Sequence, residues 1–248
     1  MKSGILRIGT SNIVVPGTKQ QFPEAFRLKS RLNYYGSLFN TVELNSTFYK
    51  LPMQSTFSKW TADVPADFQF SIKLSKTVTH GKNLVYDSKD IESFLQAAAG
   101  MSQKAGCLLL QFPGKITLDY YTQVEQILHS IASSSFAGNW RIAVECRSDS
   151  WYVGETDELL NEFGATLVLH DIPKGKIMDI RGSAPFIYQR FHGPAGDYRG
   201  SYTDNFLQQR AELIKEWLKH GKDVYVYVNN TLGNALENAN SLISFCKQ

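Results

Sequence analysis

The chain reads as an α/β protein, a single (β/α)8 barrel of the TIM type over residues 1–248. Three observations lead there. Strand-like and helix-like segments alternate from end to end. About 250 residues is the length that eight such units need. The strands also carry polar side chains on one parity only: Glu43/Asn45, Ser71/Lys73, Glu145/Arg147, Tyr188/Arg190/His192 and Tyr225/Tyr227/Asn229. That parity decides between architectures. An open doubly wound sheet has helices on both faces and wants both apolar, whereas a barrel interior opens to solvent at its mouth. The glycine-rich phosphate loops of nucleotide-binding open sheets, G-x-G-x-x-G and G-x-x-x-x-G-K-[ST], are missing as well.

The first strand is Ile5 to Gly9, running into Thr10-Ser11-Asn12. Leu28, Leu32, Tyr35, Leu38 and Phe39 then share a helical face. The stretch from Thr41 to Pro52, T-V-E-L-N-S-T-F-Y-K-L-P, organises the site. Its first half alternates Val42 and Leu44 with Glu43 and Asn45 as the second strand, and Ser46 to Lys50 pile onto the strand's end. A short helix carries Phe57 and Trp60, and Phe68 to Leu74 alternates as strand three. Ser88 is the expected N-cap of a helix burying Ile91, Phe94, Leu95, Ala98 and Met101. Cys107 to Phe112 is strand four, stopped by Pro113-Gly114, and Tyr121, Val124, Ile127, Leu128 and Ile131 repeat at helical spacing. Arg141 to Cys146 is strand five, and a helix around Leu159, Leu160 and Phe163 leads to strand six, Ala165 to His170. The connection from Pro173 to Pro185 has the weakest helical pattern of the chain. Phe186 to Phe191 is strand seven, followed by an amphipathic helix with Phe206, Leu207, Ala211, Ile214, Trp217 and Leu218. Val224 to Val228 is strand eight, and Leu236, Ala239, Leu242, Ile243 and Cys246 face inward from a closing helix.

Composition bounds the function. Hydrophobic residues at 43% and aromatics at 12% exclude a disordered chain. A net charge of +3 admits an anionic ligand but is far below the basic stripe of a dedicated nucleic-acid binder. Cys107, Cys146 and Cys246 are widely spaced, with no C-x-x-C pair, so a reduced, cytoplasmic protein is expected. The opening M-K-S-G-I-L-R-I-G lacks an apolar leader core, and no run approaches the ~18 apolar residues of a membrane span, so no membrane partner is expected.

Chemistry in such barrels sits at the C-terminal ends of the strands. Standing there are Thr10 and Ser11, Glu43 and Asn45, Lys73, Gln111, Glu145 and Arg147, His170 and Asp171, Arg190 and His192, and Asn229 and Asn230. Any one of them serves equally well as a structural hydrogen bond. Ionisable groups at one end of many strands cost stability, however, and functional sites tolerate that cost. Glu145 and Glu43 are the carboxylates placed for acid–base work, or to hold a divalent metal with His80, His170 or His192. No H-x-H or H-E-x-x-H spacing supports the metal, so no metal ligand and no cofactor is assigned, and His192 joins the glutamates as a catalytic candidate. Lys73, Arg147 and Arg190, with the glycine-rich loop from His192 to Gly200 and its Arg199, favour an anionic ligand such as a phosphate. Phe48, Tyr49, Trp151, Tyr198 and Tyr202 lie past strand ends and either stack on a ligand or pack the rim. Two function classes stay open: an enzyme acting on a phosphorylated or nucleotide-like small substrate, and a nucleic-acid binder or endonuclease-like protein using the same mouth.

The chain resembles the YecE-like family, a domain-of-unknown-function family. The pieces that match are G-T-S at Gly9 to Ser11, V-E-L-N-S-T-F-Y-K-L-P at Val42 to Pro52, Thr79-His80 and Q-F-P at Gln111 to Pro113. They continue in order with E-C-R at Glu145 to Arg147, Ser150-Trp151, Asp171, R-F-H-G at Arg190 to Gly193, and V-Y-V-N-N-T at Val226 to Thr231. The resemblance implies a TIM-type barrel, related in shape to sugar isomerases and apurinic-site endonucleases. Tyr49, His80 and Trp151 fall on matched pieces and join the strand-end residues Thr10, Ser11, Asn45, Lys73, Gln111, Arg147, Asp171, Arg190, Asn229 and Asn230 in the expected substrate-binding set. Two departures stand out. Asn12-Ile13 replaces the G-W that follows G-T-S in the family, and Ser148 replaces a histidine beside Glu145 and Arg147.

Overall fold

Period-two alternation sorts the strand side chains onto two faces, and the fold builds a separate core from each. The computed structural model describes residues 3–248; Met1 and Lys2, the first residues of the opening stretch M-K-S-G-I-L-R-I-G, lie outside them. The strands are β1 (Leu6–Thr10), β2 (Thr41–Leu44), β3 (Gln69–Lys73), β4 (Ala105–Phe112), β5 (Arg141–Cys146), β6 (Thr166–Leu167), β7 (Leu169–His170), β8 (Ile187–Phe191) and β9 (Val224–Val228). Between and after them run α1 (Arg31–Leu38), α2 (Ser46–Tyr49), α3 (Gln54–Ala62), α4 (Lys76–Thr79), α5 (Ser88–Ala98), α6 (Tyr121–Ala132), α7 (Gly154–Glu162), α8 (Asp204–Lys219) and α9 (Ala235–Lys247).

All strand pairs are parallel, in two runs ordered β2-β3-β4-β5-β6 and β7-β8-β9-β1. The runs meet at two seams. At the first, β6 and β7 are halves of one strand separated by Val168, whose N–H donates to Val144 O at 2.9 Å. At the second, β1 and β2 touch through a bridge between Ser11 and Glu43. Lower in this seam the Tyr35 hydroxyl stands in for ladder bonds, accepting from Thr10 N at 2.8 Å and donating to Thr41 O at 3.1 Å. Gly9 permits that approach, since a Cβ there would run into the Thr41 carbonyl. The result is the α/β barrel that the parity of the strands predicts.

The outward faces pack Ile8, Val42, Phe70, Leu108, Val144 and Val226 against the helices in one large core. A smaller cluster fills the barrel itself: Cys107, Leu109, Ala143, Val168, Phe186, Tyr188, Tyr225 and Tyr227. Tyr227 ties that interior together, its hydroxyl lying 2.7 Å from Thr41 Oγ1 and 2.8 Å from Ser71 Oγ. Tyr227→Phe leaves those two buried hydroxyls short of a partner. The expected cost is ~1–2 kcal/mol, read as a lower urea midpoint with an unchanged slope.

Several local expectations are corrected. Leu28 does not join the first helical face: Ser30 caps α1 through Asn33 N at 2.9 Å, so the helix starts later and Leu28 is exposed. Ser46 to Tyr49 form α2 rather than the end of a strand, because β2 stops at Leu44 and Thr47 Oγ1 turns back to Leu44 O at 3.0 Å. The N-cap of α5 is Asp87, whose carboxylate accepts from Lys89 N at 2.9 Å, and Ser88 is the first helical residue. Between β7 and β8 no helix forms among the described residues. Ile177 instead folds back on His170 in an antiparallel bridge, which frees Lys174 to reach the mouth.

Candidate active site

Register brings the polar ends of the strands together. Glu43 bridges to Ser11, Gln111 lies opposite Glu145, and His170 lies opposite Arg190. At the centre the Arg190 guanidinium spans both glutamates, donating from Nη2 to Glu43 Oε1 at 2.7 Å and from Nη1 to Glu145 Oε2 at 2.5 Å. All three residues are buried. Glu43 also accepts from Ser11 Oγ at 2.7 Å, Tyr188 OH at 2.6 Å and Asn45 Nδ2 at 3.2 Å. The other oxygen of Glu145 accepts from Arg147 Nε.

Burial alone raises the carboxyl pKa of Glu43, but Arg190 and the hydrogen bonds from Arg190, Tyr188 and Ser11 outweigh it and hold the group below the usual range. Burial is likewise overcome at Glu145 by Arg147 and Arg190, which hold it well below that range. Both glutamates are therefore anions at neutral pH. Arg190, expected from the sequence to meet an anionic ligand, has its terminal nitrogens committed to carboxylates. Its Nε is buried without a partner.

A second chain of bonds starts at Arg147. Its Nη2 lies 3.2 Å from His192 Nε2, and His192 Nδ1 lies 3.1 Å from Asp171 Oδ1. A guanidinium only donates, so Nε2 is the acceptor and Nδ1 carries the hydrogen toward Asp171. Asp171 is fixed in turn by His192 N at 2.7 Å and by the Tyr202 hydroxyl, which accepts from Gly193 N at 2.6 Å. Gly193 has φ +97°, and a Cβ there would strike the Arg199 carbonyl. Burial pushes His192 down to about 4 against the opposing hydrogen bond to Asp171, with Arg190 adding to the depression.

Between about 4 and about 6.5 the unfolded chain therefore binds a proton that folded His192 refuses, so stability rises with pH across that window. In urea unfolding followed from pH 7 to pH 4, His192→Gln is expected to remove up to ~3 kcal/mol of that slope. An unchanged slope contradicts the buried neutral ring.

Lys73 and Gln111 form the third group. Lys73 Nζ donates to Gln111 Oε1 at 2.7 Å and sits 4.0 Å from the Phe48 ring centroid. Beside Gln111 opens a cleft of about 540 Å³ at the strand ends. Lys115, Arg147 and Lys174 supply three cations to it, Ile172 and Tyr198 are side walls, and no carboxylate is among the described residues that line it. Tyr198 holds left-handed backbone at φ +67°, unusual for a bulky side chain, and its ring meets His192 edge-on at 5.5 Å.

The remaining expected residues stand apart from this network. Thr10 serves the seam at Tyr35. Trp151 is buried, with Nε1 donating to Ile116 O at 2.8 Å, and presents no surface to the mouth. Asn230 is buried too, donating to Gly200 O at 2.8 Å and Asn238 Oδ1 at 2.9 Å. Asn229 follows β9 directly, its N–H on Phe191 O at 2.6 Å. Tyr49 is exposed on α2. His80 packs edge-on against Phe48 at 4.8 Å, and burial, with Lys73 next, pushes it down to about 4. His170 lies 3.1 Å from Cys146 O through Nε2 and leaves a buried Nδ1 without a partner.

Both departures from the family pattern have a local setting. Asn12 stands in left-handed backbone at φ +63°, a conformation that Gly adopts freely and Asn better than most. Ser148 turns its hydroxyl to Ser150 Oγ at 2.9 Å rather than to Glu145. Among the described residues no group of three or more His, Cys, Asp or Glu is disposed to hold a metal ion, and a guanidinium occupies the space between Glu43 and Glu145. No helix among the described residues is long and apolar enough to cross a membrane.

Lys115 and Lys174 escape the sequence reading because loop residues follow no period. Tyr188 carried a signal, since it shares the parity of Arg190, but its polar tip is visible only once Glu43 is beside it.

The chain is similar along most of its length to UPF0759 protein YunF of Bacillus subtilis (strain 168), 24% identical over 254 residues, covering 90% of this chain and 88% of YunF. UPF0759 protein YecE of Escherichia coli (strain K12) is 27% identical over 131 residues, 52% of this chain and 46% of YecE. Among solved structures, a DUF72 family protein of Thermotoga maritima MSB8 superposes with TM-score 0.77 at 26% identity, covering 98% of this chain and 100% of that one. Another, from Enterococcus faecalis V583, superposes with TM-score 0.79 at 21% identity over 100% of both chains, a likeness of fold. SacUVDE shares the fold alone, with TM-score 0.58 at 10% identity over 100% of both chains. The model of the family described as "Protein of unknown function DUF72" matches residues 7–248, and the chain belongs to that family.

Proposed function

We propose that the protein binds and acts on a small anionic substrate bearing a phosphoryl group, such as a sugar phosphate or nucleotide, at the C-terminal mouth of the barrel. The observation that carries this reading is the cleft of about 540 Å³ lined by Lys115, Arg147 and Lys174 with no carboxylate among its described lining residues. Lys115 and Lys174, which make no ion pair among the described residues, draw an anion to this concave site, and Arg147, though paired with Glu145 through Nε, still presents planar guanidinium donors to it. Glu43 and Glu145, expected from the sequence as the acid–base pair, serve here as counterions. Carboxylates held this low take up protons poorly at neutral pH. His192, the third catalytic candidate, is held in the same way: Asp171 sets its tautomer, its Nε2 accepts from Arg147, and burial pushes it down to about 4.

A nucleic-acid ligand would meet the same three cations, so the test includes one. Melting is followed with inorganic phosphate, hexose phosphates, nucleoside monophosphates and a short single-stranded oligonucleotide, each over a range of salt. Small phosphate esters are expected to raise the melting temperature saturably. Binding confined to the oligonucleotide, with a steep salt dependence, would replace this reading by the nucleic-acid one. No response to any phosphate compound would remove both.

A further inference from the structure

The cations at the mouth divide by partner. Arg190 is held by two carboxylates and Arg147 by one, whereas Lys73 makes no ion pair among the described residues and bonds only the neutral amide of Gln111. Nζ lies 2.7 Å from Gln111 Oε1, and Gln111 lines the anion cleft. The amine also lies 4.0 Å from the centroid of the Phe48 ring, on a half-buried side chain. A lysine that neutralises no carboxylate sheds its proton without stranding a buried anion, and its free amine is a nucleophile.

We propose that Lys73 attacks the carbonyl carbon of the bound substrate, so that the site takes phosphorylated aldehydes or ketones and holds them as imines. This rests on the anion-cleft reading, which supplies the phosphate anchor. The Nζ lone pair forms the N–C bond while the carbonyl oxygen takes a proton. The C–O bond then breaks, the oxygen leaves as water with a second proton, and the nitrogen lone pair closes the C=N bond. Starting from the neutral amine, the iminium forms with one proton taken up and one water released, and no oxidant or reductant takes part. The iminium inherits the Gln111 oxygen as its hydrogen-bond acceptor. Burial and the neighbouring Arg190 lower Lys73 to about 8, with Arg147 adding to this and Glu145 and Glu43 opposing it. His80 is neutral there, its own pKa pushed down to about 4. A usable fraction of the amine is thus free near neutral pH.

The test traps the imine. Protein is incubated with glyceraldehyde 3-phosphate and sodium cyanoborohydride, which reduces an iminium to a stable amine, and labelled lysines are mapped by peptide mass. Lys73 is expected to label at least ~10-fold faster than any other lysine, with a rate that climbs through pH 8. Unphosphorylated glyceraldehyde is expected to label it about 10-fold more slowly, and inorganic phosphate to protect it. Lys73→Arg keeps the cation and its place over Phe48 but not the nucleophile, and should lose the adduct while melting like the parent protein. Labelling of Lys73 no faster than exposed lysines overturns the imine, even where phosphate still raises the melting temperature and the anion cleft stands. Selective labelling that is indifferent to the phosphate group supports the amine nucleophile and overturns the cleft.

Discussion

Arg190→Met is expected to cost about 3–5 kcal/mol at pH 7, the range for breaking a buried ion pair by removing one partner. For a chain of this size that corresponds to roughly 6–20 °C in melting temperature. The reason is the bracketing of one guanidinium by Glu43 and Glu145, both buried and both anionic. Without Arg190 the two carboxylates keep Ser11, Tyr188, Asn45 and Arg147 but lose the charge between them. Each then gains by taking up a proton, so the deficit should shrink as pH falls toward 5. The sign follows from linkage. In the parent both carboxylates are held below their unfolded value and their stabilisation is constant above it. In the variant a stranded buried carboxylate is pushed above that value and takes up its proton before the unfolded chain does, so only the variant gains as pH falls toward 5. Adding Glu43→Gln and Glu145→Gln to Arg190→Met should recover at least half of the loss, because it removes the stranded charges. A single variant that melts like the parent protein would mean that the pairs are not closed in solution.

The second large effect is on binding. Arg147 faces two ways, toward Glu145 and His192 inside and toward the cleft outside, with 15% of its side chain exposed. Arg147→Leu is expected to weaken phosphate binding ~10–100-fold, the loss of one or two charge-assisted hydrogen bonds. Arg147→Lys should restore part of this, since it returns the charge without the planar fork. Titration calorimetry separates the three proteins. Equal affinities would place the anion away from Arg147.

What the sequence discloses is what period two can disclose. Glu43, Ser71, Lys73, Glu145, Tyr188, Arg190, Tyr225 and Tyr227 share the inner face, and their alternation with apolar neighbours is enough to favour a barrel and to mark its polar end. Pairing is another matter. Glu43 and Arg190 lie 147 positions apart, and nothing in either segment states that one guanidinium serves two carboxylates. Two carboxylates and a cation read separately suggest an acid–base pair and an anion site, whereas read together they satisfy one another. The run from Ser46 to Tyr49 misleads for a related reason. Its aromatic and β-branched residues favour strand locally, and the end of the β2–β3 register after Leu44 overrides them. Lys115 and Lys174 sit on loops, where position is set by closure of the barrel rather than by any repeat.

The central claim is that Lys115, Arg147 and Lys174 form an anion cleft. Lys115 and Lys174 test it most cleanly, being exposed and outside the buried network. Inorganic phosphate is titrated calorimetrically into the parent protein and into Lys115→Ala/Lys174→Ala at one low salt concentration. The parent should bind saturably, and the double variant ~10-fold or more weakly, with melting temperatures within about 2 °C of each other. Equal affinity in the two proteins, or no binding by the parent, would contradict the claim.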